Sequence, residues 1–136
     1  MKGLSTLIRL NRWRVDEKRR ELRGLEDMRS DLVIRRTTID VEMATEQSVG
    51  DEPVVQFSYG AFVRAALLRR ETLTRSIAEV EHAVEEKQSE LADCVRELKK
   101  IEVAAERRAE RERLELSRRE QIEVDEISMN VFRRQG

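Results

Sequence analysis

The chain's 136 residues carry 27 Lys and Arg against 28 Asp and Glu; charged residues make up 40% of it and aromatics only 4%. Aromatic and large aliphatic side chains supply most buried area, so this composition excludes a broad, thick core. Its length suits one domain, and its Leu, Val, Ile and Ala, spread among Glu and Arg, are the composition of long helices with a narrow apolar seam.

Disorder is the competing reading of so high a charge; the formal net charge of −1 and the regular apolar spacing weaken it. The one cysteine, Cys94, excludes an internal disulfide and fits a reducing compartment. No apolar run approaches the ~20 residues needed to span a bilayer, and no signal-peptide core follows Met1-Lys2-Gly3-Leu4. The sequence therefore predicts a cytoplasmic protein without direct membrane insertion.

A first helix is predicted over about 4–48. Its apolar residues Leu4, Ile8, Val15, Leu22, Leu25, Leu32, Ile39 and Met43 recur in steps of four, three and seven, which is a heptad seam. The stretch Val49-Gly50-Asp51-Glu52-Pro53 ends it, because proline inside a helix loses a hydrogen bond and clashes with the preceding turn. A loop over about 49–57 follows, with Ser58 as the N-cap of a second helix over about 58–131. The second seam reads Val63, Leu73, Ile77, Val80, Val84, Leu91, Cys94, Leu98, Ile101 and Ala105. Beyond Ala105 the same positions fall on Arg108, Glu112 and Glu115, and the seam stops while helix-forming composition continues.

A reversal near Pro53 explains that stop. Facing residue numbers then sum to about 106, which sets Ile8 against Leu98, Val15 against Leu91, Leu22 against Val84, and Ile39 against Leu67. Leu4 would face about Glu102, so the second helix loses its seam where the first runs out, and an unpartnered helix has nothing to bury. Charge agrees: residues 1–23 are mainly basic and residues 79–97 mainly acidic, and flanking charges of opposite sign select partner and direction in coiled coils. The expected fold is all-α, a single domain over 1–136: two long helices in an antiparallel coiled-coil hairpin, with a charged C-terminal overhang.

Chemistry-bearing motifs are absent. No glycine precedes a Lys-Ser/Thr pair as in a P-loop, and the only histidine, His82, has no Cys or His neighbours for a zinc site. Cys94 lies on the seam as a small core residue, and a coiled coil offers no pocket to dehydrate a carboxylate pair. Neither an enzyme nor a cofactor or metal site is expected.

Three features point to partners instead. Trp13 falls on the outer face among Arg9, Arg12 and Arg14, as a contact surface or folded over the seam. Phe57, Tyr59 and Phe62 cluster beside the tip, as a cap or a docking spot. Arg29, Arg36 and Arg70 occupy seam-phase positions, either snorkelling outward or loosening that half for a partner. The basic N-terminal segment is not expected to bind nucleic acid, since the facing acidic helix neutralises it.

These residues resemble the flagellar export protein FliJ family. The resemblance rests on the Met-Lys-x-Leu start, on Leu7-Ile8-Arg9-Leu10 followed by Val15-Asp16-Glu17-Lys18, on Tyr59-x-x-Phe62 entering the second helix, and on Glu120-Gln121-Ile122-Glu123-Val124-Asp125-Glu126 near the C-terminus. It covers nearly the whole chain in layout. It implies a monomeric stalk, peripheral to the inner membrane at the flagellar export apparatus, that inserts into the hexameric export ATPase (FliI-like), promotes its assembly, contacts the export gate protein (FlhA-like) and escorts unloaded export chaperones. ATPase contacts map onto Arg9, Arg12, Trp13, Arg14, Arg107, Arg111, Arg118 and Arg119. Gate contacts map onto Tyr59, Phe62, Ala66, Arg69 and Leu73, with Arg69 departing from the family's usual small residue. An injectisome type III secretion stalk, or a chaperone or scaffold hairpin, are the alternatives.

Overall fold

The computed structural model describes residues 2–46 and 53–135, and every one of these is helical. α1 spans Lys2–Glu46 and α2 spans Pro53–Gln135. Neither helix carries an interior proline, and the alternation of apolar and charged residues at heptad spacing gives each a stripe to bury. The two pack against each other in antiparallel fashion as a helical hairpin, the fold the seams imply.

The start of α2 corrects the sequence reading. Residues 49–52 of the expected loop lie outside the described residues, whereas 53–57 are already helical, so Ser58 sits within the helix and is not its N-cap. Pro53 opens α2 instead of standing in a loop. At the first helical position proline's fixed φ suits the helix, and its missing N–H has no intrahelical acceptor to lose. At the other end, α2 runs to Gln135, past the expected 131.

Contacts group the chain into two units, Met1–Trp13 with Cys94–Gly136, and Arg14–Asp93. In the second unit the most buried apolar side chains are Val15, Ile39, Ala66 and Ile77. Leu22, Leu25, Leu32, Met43, Val63, Leu73, Val80, Val84 and Leu91 are half-buried, as a two-helix seam must leave them. Among the described residues, four ion pairs cross between the helices here. Their residue numbers add to 108 for Lys18 with Glu90 and Glu21 with Lys87, and to 110 for Arg29 with Glu81 and Asp40 with Arg70.

The facing number is therefore close to 109, not 106. Leu67, expected to meet Ile39, is 50% exposed, and it is the neighbouring Ala66, facing about Met43, that is buried. The expected number came from matching apolar residue to apolar residue. The helices instead accept Lys18, Arg36, Arg70 and Lys87 in the seam, half-buried, because long basic side chains pack their stems and send their charges outward.

In the first unit, Ile8, Leu98, Ile101 and Ala105 are half-buried, and Leu4 and Ile8 share a groove with Ala105, Arg108 and Ala109. Leu4 was expected to stand near Glu102, so the pairing here too runs further along α2. Asn11 is buried at a seam position, its Nδ2 donating to the Leu7 carbonyl at 2.8 Å, and among the described residues no buried side-chain nitrogen or oxygen lacks a partner. Residues 109–135 are exposed throughout. Pairs within the helix hold this segment, among them Arg113 to Glu110 at 2.7 Å and Arg119 to Glu115 at 2.9 Å.

Candidate functional site

Two surfaces stand out, one in each unit. In the first unit, Trp13 is 58% exposed, and Leu10 and Leu7, about one and two turns before it, are also exposed. Positions 7, 10 and 13 step round the helix, Leu7 beside the seam and Trp13 opposite it, so the exposed apolar side chains wind from the seam's edge to the outer face. Arg9 and Arg12 border a separate groove floored by Leu4, Ile8, Ala105 and Ala109, with Arg108 and Glu112 on its far wall. Arg108 faces Glu112 at 3.4 Å, whereas Arg9 and Arg12 make no ion pair with a described residue. The groove therefore carries two uncompensated cations.

The rest of the basic set divides. Arg107 and Arg111 share a bond between the Arg111 Nε donor and the Arg107 carbonyl, Arg119 is tied to Glu115, and Arg118 stands exposed. Arg14 belongs to the second unit and is exposed. A feature that the sequence reading passed over lies beyond them. Leu114, Ile122, Val124, Ile127, Met129, Val131 and Phe132 are all exposed on α2. Their signal in the sequence is the run of apolar residues between 122 and 132, which follows the charged stretch ending at residue 120.

In the second unit a groove of about 570 Å³ runs between the helices, lined by Ile34, Thr38, Ile39 and Glu42 of α1 and by Leu68, Arg69, Thr72 and Leu73 of α2. Ile34, Val41 and Leu68 are each more than half exposed. The Thr38 hydroxyl donates to the Ile34 carbonyl at 2.9 Å and the Thr72 hydroxyl to the Leu68 carbonyl at 3.1 Å. With those hydroxyls engaged by their own helices, the groove presents mostly hydrocarbon. A smaller groove beside it brings Phe62 and Arg69 together with Val41, Glu42, Thr45 and Glu46.

Of the five residues mapped to this region by resemblance, Phe62, Arg69 and Leu73 border these grooves, and Tyr59 is half-buried. Ala66 has no exposed surface and packs inside the hairpin. Phe57, three-quarters exposed, seals nothing among the described residues. The α1 wall of the groove, Ile34, Thr38 and Glu42, was not placed by the sequence. Its signal was a second apolar line, Ile34 and Val41, seven residues apart and off the seam.

Two of the three seam-phase arginines, Arg29 and Arg70, reach across to the other helix. Arg29 Nε donates to Glu81 Oε1 at 3.0 Å and Arg70 Nε to Asp40 Oδ1 at 2.7 Å. Lys18 and Lys87 do so more completely. Lys87 Nζ lies 2.7 Å from Glu21 and 2.9 Å from Glu90, and Lys18 Nζ lies 3.1 Å from Glu90 and 3.5 Å from Glu21. The four charges close a ring. Lys87 as hydrogen-bond donor holds the Glu21 and Glu90 carboxyls below the usual carboxylate range, and those two acceptors push the Lys87 ammonium above its ordinary value.

His82 is exposed and lies 3.0 Å from Glu86, and Cys94 is half-buried on the seam. Among the described residues no group of three or more His, Cys, Asp or Glu side chains is placed to hold a metal ion, and no helix is long and apolar enough to cross a membrane.

The class these observations define is the all-α hairpin of two long helices. Family comparison narrows the class: the model described as "Flagellar FliJ protein" matches residues 1–136. The chain belongs to the FliJ family and is a component of flagellar protein export. No curated protein and no solved structure matches it.

Proposed function

We propose that the chain is the stalk of the flagellar export machinery: its chain ends dock in the hexameric export ATPase and promote its assembly, and its other unit contacts the export gate. The observation that carries this reading is the bare end of α2. Residues 109–135 are exposed throughout, and beyond the groove at Ala109 and Glu112 they hold Ile122, Val124, Ile127, Val131 and Phe132 in water. A helix with apolar side chains and no internal partner is built to be covered by another protein. Arg118 and Arg119 before this run, with Arg9, Arg12 and Trp13 on α1, supply the polar and aromatic contacts a docking interface uses.

The groove between Ile34 and Leu68 supports gate contact, with Phe62, Arg69 and Leu73 at its border. Tyr59 belongs to the same region, while Ala66 contributes by letting the helices approach and not by touching a partner. Escort of export chaperones, a monomeric state and a place at the cytoplasmic side of the inner membrane complete the reading. The family matched is the flagellar one, which favours this role over an injectisome stalk.

The test is stimulation of the hexameric export ATPase. The full chain is expected to raise its rate, and a chain ending at Glu110 is expected to bind weakly and stimulate little. Equal stimulation by the shortened chain, at equal helicity of residues 2–110, would sink the proposal.

A further inference from the structure

We propose that the ring formed by Lys18, Glu21, Lys87 and Glu90 fixes the register in which α1 and α2 pair within residues 14–93, a choice the apolar seam leaves open. Both seams repeat every seven residues, so sliding one helix past the other by a heptad again sets apolar lines face to face. Hydrophobic burial is non-directional and separates such registers poorly.

The charges separate them well. In the observed register four cross-helix pairs form, Lys18 with Glu90, Glu21 with Lys87, Arg29 with Glu81, and Asp40 with Arg70. A slide of seven residues one way sets Lys18 against Glu97, but Glu21 against Cys94, Arg29 against Gln88 and Asp40 against Ile77. The opposite slide sets Lys18 against Ala83, Glu21 against Val80, Arg29 against Thr74 and Asp40 against Val63. The first slide also brings Arg36 against Glu81, so the four opposite-charge pairs fall to two or to none.

Within that set the ring is the tightest element. Each lysine reaches a glutamate on both helices, so axial sliding breaks two cross-helix contacts together. Lys18 and Lys87 also stand at seam phase with their stems half-buried, where a polar residue specifies register at a cost in stability. Register in turn decides which residues of α1 border which of α2, and so composes the groove between Ile34 and Leu68.

Nitroxide labels at Asp31→Cys and Ala92→Cys, in a Cys94→Ala background, read the register directly. Facing numbers near 109 offset these positions by about 14 residues, roughly 21 Å along the helix axis, and a one-heptad slide changes that by roughly 10 Å. The parent chain is expected to give one distance. Lys87→Glu, which opposes Glu21 and Glu90, and Lys87→Met, which keeps the stem and removes the charge, are expected to add a second population displaced by roughly 10 Å at unchanged helicity. Exchanging all four charges (Lys18→Glu, Glu21→Lys, Lys87→Glu, Glu90→Lys) is expected to restore the single distance. An unshifted single distance in Lys87→Met, or a displaced population that persists after the exchange, overturns the proposal. If Lys87→Glu loses helicity, Lys87→Met and the exchanged chain decide it. None of these readouts involves the ATPase or the gate, so they stand apart from the stalk reading.

Discussion

Arg70 and Asp40 meet across the hairpin at 2.7 Å, with the arginine at a seam position and both side chains more than 40% exposed. A contact so short within the seam resembles a keystone, yet its exposure says otherwise. Solvent screens such a pair, and holding two flexible side chains costs entropy. A double-mutant cycle with Arg70→Ala and Asp40→Ala is expected to give a coupling of about 0.2–1 kcal/mol. A coupling above about 2 kcal/mol would show that the pair is far better shielded than its exposure implies.

Stability is expected to reside in the few side chains that the seam fully covers. Ile77 is 4% exposed, and Ile77→Ala removes buried methyl groups where two helices cannot collapse around the gap. A loss of about 2–4 kcal/mol is expected in denaturant melts. The same substitution at the exposed Ile34 is expected to change stability by under about 0.5 kcal/mol.

The two unit surfaces are expected to separate by partner. Trp13→Ala, at an exposed position, should lower ATPase stimulation with unchanged helicity; unaltered stimulation removes Trp13 from the interface. Leu68→Ser should weaken binding to the gate protein while the melting temperature holds. Ala66→Leu should lower the melting temperature by overpacking the hairpin, costing about 1–3 kcal/mol. Weakened gate binding by Ala66→Leu without any loss of stability would place Ala66 on the outer surface, against its burial.

Acid should act through the charged ring. The folded Glu21 and Glu90 carboxyls lie below their ordinary values, first because Lys87 donates to them. Their contribution is therefore present above the unfolded carboxylate range, about pH 4.3, and is lost as pH falls through the lower folded values. Lys87 is raised by the same bonds, so its contribution is present below the ordinary lysine value and is lost only as pH rises through the raised one. Melting temperature is expected to fall below about pH 4.5 in the parent chain and less steeply in Lys87→Met. Parallel pH profiles for the two would show that the ring contributes nothing measurable.

Much of this protein can be read directly from its letters. Balanced charge, scarce aromatics and a single proline allow little besides long helices, and heptad spacing marks the buried line of each one. Val15, Ile39 and Ile77 were all legible as core because periodicity is a local property of one helix. Of the basic segment 1–23 and the acidic segment 79–97, Lys18 and Glu90 meet with the expected signs, while Glu21 and Lys87 meet with the signs reversed. Family resemblance was carried by layout along the chain and needed no contact between helices.

Register was decided only in three dimensions. A seam that repeats every seven residues matches its partner at several offsets, so matching Ile39 to Leu67 was as reasonable on paper as burying Ala66. The choice belongs to groups whose reach depends on both helices at once, Lys18 and Lys87 between Glu21 and Glu90. The groove from Ile34 to Leu68 follows from the same cause, since its two walls are 34 residues apart in the chain and adjoin only in this pairing. Proline's place at the head of α2 was also a matter of context: its ring forbids a helix interior but suits a helix start, and the residue alone does not say which.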